Sequence, residues 1–234
     1  MISVCIPTYN GEKYIKEQLD SILCQLSEID EVIISDDSST DNTLEIINNY
    51  NDKRIKLFIN NHFYSPIFNL ENALNHANGD YIFLSDQDDI WMPNKVKITL
   101  KALEQFDLSV SDCELIDSKG NIISNSFYLL NQSGNGFIKN LIKNSYLGCC
   151  MAFKRDVLRY TLPFPKNIAM HDIWIGLCVE LSGKSVFVNE KLIKYRRHEN
   201  NLSSAGSISK NNVMYKLKYR LVMLFLLFQR KACN

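Results

Sequence analysis

The chain predicts an α/β fold with a mostly parallel, mixed sheet, and three observations carry the prediction. Short β-branched runs alternate with segments whose apolar residues recur at helical spacing, the connections between them are short, and polar clusters follow three of the runs directly. Ile2 to Ile6 reads as the first strand, and Ile15, Leu19, Ile22, Leu23 and Leu26 mark a helix. Glu31 to Ser35 is the next strand, which completes a βαβ unit. Thr40 to Thr43 opens a second helix through Leu44, Ile46 and Ile47, followed by a strand over Arg54 to Ile59. Ser65 and Pro66 supply an N-cap and an N1 proline for a helix carrying Leu70, Ala73, Leu74 and Ala77, which stops at Asn78-Gly79. Tyr81 to Leu84 is a buried strand.

Beyond residue 107 the pattern changes. Leu108 to Ser111, Glu114 to Ser118 and Leu147 to Phe153 read as separate strands, with a turn at Lys119-Gly120-Asn121 before Ile122 and Ile123. Trp174, Leu177, Cys178 and Leu181 share a helical face that ends at Gly183, and Ser185 to Val188 and Leu192 to Tyr195 close the series as two strands. This divides the chain into a domain over 1–207, with halves 1–106 and 107–207, and a terminal helical segment over 208–234.

At 234 residues the chain is long enough to bury a substantial core. Its 26 basic and 26 acidic residues balance, so no global charge suggests a nucleic-acid partner. Seven cysteines form no CxxC pair, and Cys5, Cys24 and Cys178 lie in apolar runs where they would pack as small hydrophobes, as in a reduced, cytoplasmic protein. Met1 leads straight into a strand, so no signal peptide is expected, and no apolar stretch reaches the ~20 residues of a spanning helix.

Parallel sheets bind ligands at the carboxyl ends of their strands. The clusters Pro7 to Gly11, Ser35 to Ser39 and Ser85 to Asp89 each follow a strand and should meet along one edge. The last places three carboxylates within four residues, Asp86, Asp88 and Asp89, which repel unless a cation lies between them. Mg²⁺ or Mn²⁺ suits such hard oxygen ligands and shares its remaining positions with phosphate. The alternative is an Asp-rich turn that caps a helix. An EF-hand is excluded, because its loop would require an oxygen ligand at Ile90 and a glycine at Trp91.

Thr8-Tyr9-Asn10-Gly11, Asp36 to Asp41, Asn78 to Ile82 and Asp86 to Asp89 resemble, in order and spacing over roughly residues 1–200, the motifs of family 2 glycosyltransferases. The resemblance implies the GT-A fold, with a Rossmann-like nucleotide-binding half and an acceptor-binding half. Asp86 to Trp91 with His171 to Trp174 and Tyr195 to His198 is most similar to bacterial rhamnosyltransferase-like enzymes of surface-polysaccharide synthesis. Thr8, Tyr9 and Asp37 would then hold the nucleobase, the carboxylate accepting a pyrimidine N3 proton and the ring offering a stacking face. Glu12 either shapes that pocket or favours the positive end of the following helix. Asp86 and Asp88 form the DxD, with Asp88 the direct metal ligand, Asp86 supporting metal or ribose, and Asp89 only capping the turn into Pro93.

His198 is a candidate further ligand, and Arg196 or Arg197 a phosphate contact; a solvated strand end is the alternative. Asp172 would be the general base that inversion requires, next to His171 where the family has Glu, although an Asp ahead of a helix is ordinarily an N-cap. Gly148, His171 and Trp174 would lie on the acceptor side, Gly148 in a strand that admits a sugar closely. No Gln-x-x-Arg-Trp motif follows Asp172, which implies single addition. The expected partners are a dTDP- or UDP-linked sugar, L-rhamnose favoured and hexoses next, and a glycan or lipid-linked acceptor. A nucleotidyltransferase would need a glycine-rich basic loop where Tyr9-Asn10-Gly11-Glu12 stands. An inactive sugar-nucleotide-binding module has no need of both Asp88 and Asp172.

From Lys210 to Lys231 there are six basic and no acidic residues around the apolar run Leu221 to Phe228. That composition suits peripheral membrane contact through residues 208–231, or a terminal helix docked on the domain or in a dimer.

Overall fold

Strand β1 (Ile2–Thr8) is buried along almost its whole length because it pairs on both sides, in parallel, with β2 (Glu31–Asp36) and β4 (Tyr81–Leu84). β3 (Ile55–Phe58) extends this parallel layer beyond β2. The computed structural model describes residues 1–59, 61–198 and 213–233, with side chains of the final helix from 218 to 231. Its nine-stranded sheet runs β3-β2-β1-β4-β8-β6-β9-β5, with β7 (Ile122–Ser124) paired to β6. β8 (Met151–Lys154) joins antiparallel to both β4 and β6 (Leu108–Ile116), while β9 (Ser185–Arg196) runs parallel to β6 and antiparallel to β5 (Ile90–Trp91). The sheet is therefore mixed, and its chain order reverses between β1 and β4, the kind of crevice where such sheets bind ligands.

The helices expected in the first half form as α1 (Ile15–Leu23), α2 (Thr43–Asn48) and α3 (Pro66–Asn75). Ile15, Leu19, Ile22, Leu23 and Leu26 are all buried, as their spacing requires. α4 (Lys95–Leu103) leads into β6, and α5 (Phe127–Asn131), α6 (Phe137–Ile142) and α7 (Val157–Thr161) are short. α8 (His171–Ser182) is buried on nearly every side, and α9 (Val213–Cys233) closes the described chain.

Several expectations are corrected. Leu108 to Ser118 is not two strands: one strand absorbs a register shift near Asp112, and β9 likewise unites the two segments predicted at 185–188 and 192–195. Gly148 to Cys150 is a 3-10 turn ahead of β8 rather than strand. Cys24 is exposed at the end of α1, where its thiol donates to Ser21 O, while Cys5 and Cys178 are buried as expected. Residues 208–212 of the terminal segment lie outside the described residues.

α8 packs closely because Gly176 leaves room for the ring of Tyr146, which a Cβ at that position would strike. Tyr146 is itself held by its hydroxyl, which donates to Glu180 Oε1 at 3.0 Å, so the ring cannot swing away cheaply. Gly176→Ala should cost about 1–3 kcal/mol by overpacking, a drop of several degrees in melting temperature. A thermal melt equal to that of the parent would refute this packing.

Candidate active site

The three loops after β1, β2 and β4 are tied together by their own polar side chains. Gln87 meets the backbone of Tyr9 with both ends of its amide: Oε1 accepts from Tyr9 N at 2.9 Å and Nε2 donates to Tyr9 O at 3.0 Å. Gly11 makes this possible, since a Cβ there would overlap the Gln87 amide. Asp36, fully buried, accepts from Ser39 N (2.8 Å), Ser39 Oγ (2.6 Å) and Thr8 Oγ1 (2.8 Å). The hydroxyl of Thr8 is thus used inside the loop junction. Asp37 accepts from Phe63 N at 2.6 Å and Ser65 N at 3.3 Å, while Tyr9 stands 56 % exposed at the rim. Glu12 Oε2 accepts from Asn42 N (3.0 Å) and Asn42 Nδ2 (2.8 Å), which ties the loop after β1 to the start of α2.

The carboxylates beyond β4 divide into two kinds. Asp89 is fully buried, and its Oδ1 accepts from Arg196 N at 2.9 Å, which corrects its assignment as a turn cap. Arg196, also buried, donates from Nε to Asp88 O at 2.8 Å, pairs through Nη2 with Glu17 at 2.6 Å, and lies 4.5 Å from the ring of Tyr14. It is a brace for the loop and is not presented to a phosphate. His198, two residues on, brings Nε2 to 2.7 Å from Asp88 Oδ2 and stacks at 5.3 Å on the same Tyr14 ring. Behind the cluster lies the buried ammonium of Lys95, which donates to Cys149 O at 3.3 Å. Burial lowers its pKa, and the charge of Asp89 is among the groups that oppose this.

Asp172 lies on α8, and its charge is among those that act on Asp86. α8 begins at His171 with Met170 as N-cap, so Asp172 sits inside the first turn and not ahead of the helix. Its Oδ1 accepts from Ile173 N at 2.6 Å and its Oδ2 from Asn144 Nδ2 at 3.3 Å. Desolvation pushes its pKa up to about 6 against these hydrogen bonds. Asp86 is pushed up to about 7, first by desolvation and then by the charges of Asp88 and Asp172, which places all three carboxylates within electrostatic reach of one another. His171 is buried and lowered to about 4 by desolvation, hence neutral above that pH.

Two residues expected on the acceptor side are structural. Trp174 is fully buried with its indole N–H donated to Thr161 O at 2.9 Å. Gly148 is glycine because a Cβ would lie 2.7 Å from His171 Nε2, so the close approach it permits is to an imidazole. Gln87, Asn144, Glu17 and Tyr14 were missed. Gln87 lies within the quoted motif, but the others are single polar or aromatic residues on segments with no motif of their own.

This donor set fits a hard divalent cation. Asp86 and Asp88 offer carboxylate oxygens, His198 an imidazole nitrogen, and the raised pKa of Asp86 marks a place where positive charge is wanted. Among the described residues, the ligand atoms that fall within 4.8 Å of one another are those of Asp86, Asp89 and Cys149. Burial pushes the Cys149 thiol well up, so it remains protonated and suits a hard ion poorly.

The description glycosyl transferase family 2 belongs to the family model that matches residues 3–162. The dTDP-rhamnosyl transferase RfbG of Shigella flexneri is 30 % identical over 251 aligned positions, covering 91 % of this chain and 76 % of its own length. The UDP-Glc:alpha-D-GlcNAc-diphosphoundecaprenol beta-1,3-glucosyltransferase WfgD of Escherichia coli is 26 % identical, covering 87 % and 80 %. Among solved structures, residues 1–349 of S. aureus TarS in complex with UDP-GlcNAc superpose with a TM-score of 0.71 at 19 % identity, over 95 % of this chain and 66 % of that one. The mannosyltransferase PcManGT of Pyrobaculum calidifontis, in complex with GDP-Man and Mn²⁺, gives 0.60 at 19 % identity, over 100 % and 64 %. The chain spans slightly less than two thirds of these two solved chains.

The raised pKa of Asp172 has a consequence for stability. Its value rises from 3.8 to about 6 on folding, so the fold favours the protonated form. Stability is fully present below pH ~4 and is lost as the pH rises to ~6, up to about 3 kcal/mol. Asp172→Asn should therefore melt higher than the parent at pH 8, with the difference shrinking as the pH falls towards 4. Parallel stability curves for the two proteins across that range would contradict this.

Proposed function

Because this chain belongs to glycosyl transferase family 2 and has its GT-A fold, we propose that it is an inverting, metal-dependent, single-addition glycosyltransferase that moves a sugar from a pyrimidine nucleoside diphosphate to a glycan or lipid-linked acceptor in bacterial surface-polysaccharide synthesis. The observation that carries the reading is the meeting of Asp88 with His198 Nε2 at 2.7 Å at the end of β4, with Asp172 held by Asn144 and the Ile173 N–H in the first turn of α8.

In this reading the nucleobase rests on the exposed ring of Tyr9 and donates an N3–H hydrogen bond to Asp37. A carboxylate has about four acceptor positions, and Asp37 uses two of them on Phe63 and Ser65, which leaves room for a third hydrogen bond. Asp88 and His198, with Asp86, would hold Mn²⁺ or Mg²⁺. When bound, such an ion supplies Lewis-acid stabilisation of the departing nucleoside diphosphate. Asp172 takes the proton from the acceptor hydroxyl as it attacks the anomeric carbon opposite the diphosphate. Asn144 steadies its Oδ2, and the pKa of about 6 keeps Asp172 ionised yet basic at neutral pH. The resemblance to rhamnosyltransferases and the 30 % identity to RfbG favour dTDP-L-rhamnose as donor. The UDP-glucose in the name of the WfgD enzyme makes a UDP-hexose the second reading.

Thermal shift with nucleotide sugars tests donor and metal together. dTDP-rhamnose or a UDP-hexose should raise the melting temperature with Mn²⁺, and Asp88→Asn should lose the Mn²⁺-dependent part. With a donor identified, Asp172→Asn should retain donor binding and lose about 10²- to 10⁴-fold in transfer. Parent activity should rise with pH through ~6, as ionisation of the base requires. Full transfer by Asp172→Asn would refute the base assignment, and no nucleotide shift in any metal would refute the site.

A further inference from the structure

We propose that α6 and the outward face of α9 together form a docking surface for an anionic lipid bilayer. On α9, Lys218, Leu221, Phe225 and Phe228 are spaced by three, four and three residues and so lie along one face of the helix. The three apolar members are 58 %, 61 % and 67 % exposed, whereas Met223 and Leu227 on the opposite side are buried against the domain. The helix is fixed near both ends of this stripe: the Arg220 guanidinium donates to Ile142 O, and Arg230 donates to Leu162 O at 2.5 Å and also to Pro163 O. The Arg220 bond brings in the end of α6, where Ile138 and Ile142 stand 64 % and 57 % exposed beside the exposed Lys139 and Lys143.

Charge identifies the occupant. The chain as a whole is balanced at 26 basic and 26 acidic residues, yet residues 118–155 and 200–234 contain five and six basic residues and no acidic one. An apolar stripe framed by cations of a single sign suits insertion among lipid headgroups with attraction to anionic lipid. A second copy of the chain packed on the same stripe would bring lysine against lysine, which disfavours self-association. No described helix is long and apolar enough to cross a membrane, in keeping with a surface that lies on the bilayer. Asn144, two residues beyond α6, donates to Asp172 at 3.3 Å, so the docked face adjoins the candidate base. Delivery of a lipid-linked acceptor to that base rests on the transfer reading above, but docking itself does not.

The test is cosedimentation of the full chain with vesicles of phosphatidylglycerol and phosphatidylcholine, and with phosphatidylcholine alone. The chain should pellet with the anionic vesicles, less so at high salt, and remain in solution with the neutral ones. Phe225→Glu with Phe228→Glu, and separately Lys218→Gln with Lys231→Gln, should each lower partitioning about tenfold or more while leaving the melting temperature unchanged, since these side chains are exposed. Absence of pelleting with anionic vesicles, or undiminished binding by both variants, would overturn the proposal. So would a dimer in sedimentation velocity that the Phe variants dissociate without any vesicle binding. Nucleotide thermal shifts recorded on the same proteins separate a failure of docking from a failure of the transfer reading.

Discussion

Arg196 joins the two sides of the site, and the rest of the arrangement depends on it. Its backbone N–H and guanidinium take hold of Asp89 and of the Asp88 carbonyl, residues 107 and 108 positions earlier in the chain. A buried guanidinium needs several acceptors in fixed directions, and a loop of carboxylates needs donors, so each stabilises the other's geometry. Because His198 follows two residues later, the same anchorage carries its imidazole to Asp88. Tyr14, with Arg196 and His198 both against its ring, and Glu17, paired to Arg196, extend the brace to the start of α1.

This anchorage gathers carboxylates where solvent is scarce. Asp86 and Asp172 both shift towards the protonated form, which is unfavourable for a folded protein at neutral pH and is tolerated where the chemistry uses it. Around them the structure supplies partial compensation: backbone N–H groups for Asp89 and Asp172, the amide of Asn144, and the imidazole of His198. In the proposed function a cation and a diphosphate would complete what these groups leave unfinished, with the proposed base on the same cluster.

Much of this was legible in the chain. Strands of the first half are recognisable because buried parallel strands are short β-branched runs, and the polar clusters after them mark one sheet edge. Asp86, Asp88 and Asp172 stand out only together with the other motifs, since a single Asp beside an apolar run is ordinarily a cap. The errors share a cause. Glu12, Trp174 and Arg196 have side chains whose chemistry suits a ligand equally well, and Gly148 permits a close approach that would suit one too, yet each meets a partner distant in the chain: Asn42, Thr161, the pair Asp88 and Asp89, and, for Gly148, His171. The joined strands β6 and β9 were read as fragments because a register shift interrupts the alternation on which strand recognition depends.

By itself the sequence determined the α/β alternation, the family and the identity of the acidic residues, since these rest on local periodicity and on residue types at fixed spacing. Only the tertiary structure decided which acids face one another, which are braces, and which apolar residues of α9 remain outside. Those outcomes depend on distances between segments far apart in the chain and on how much water each side chain keeps, and neither quantity is written in local spacing.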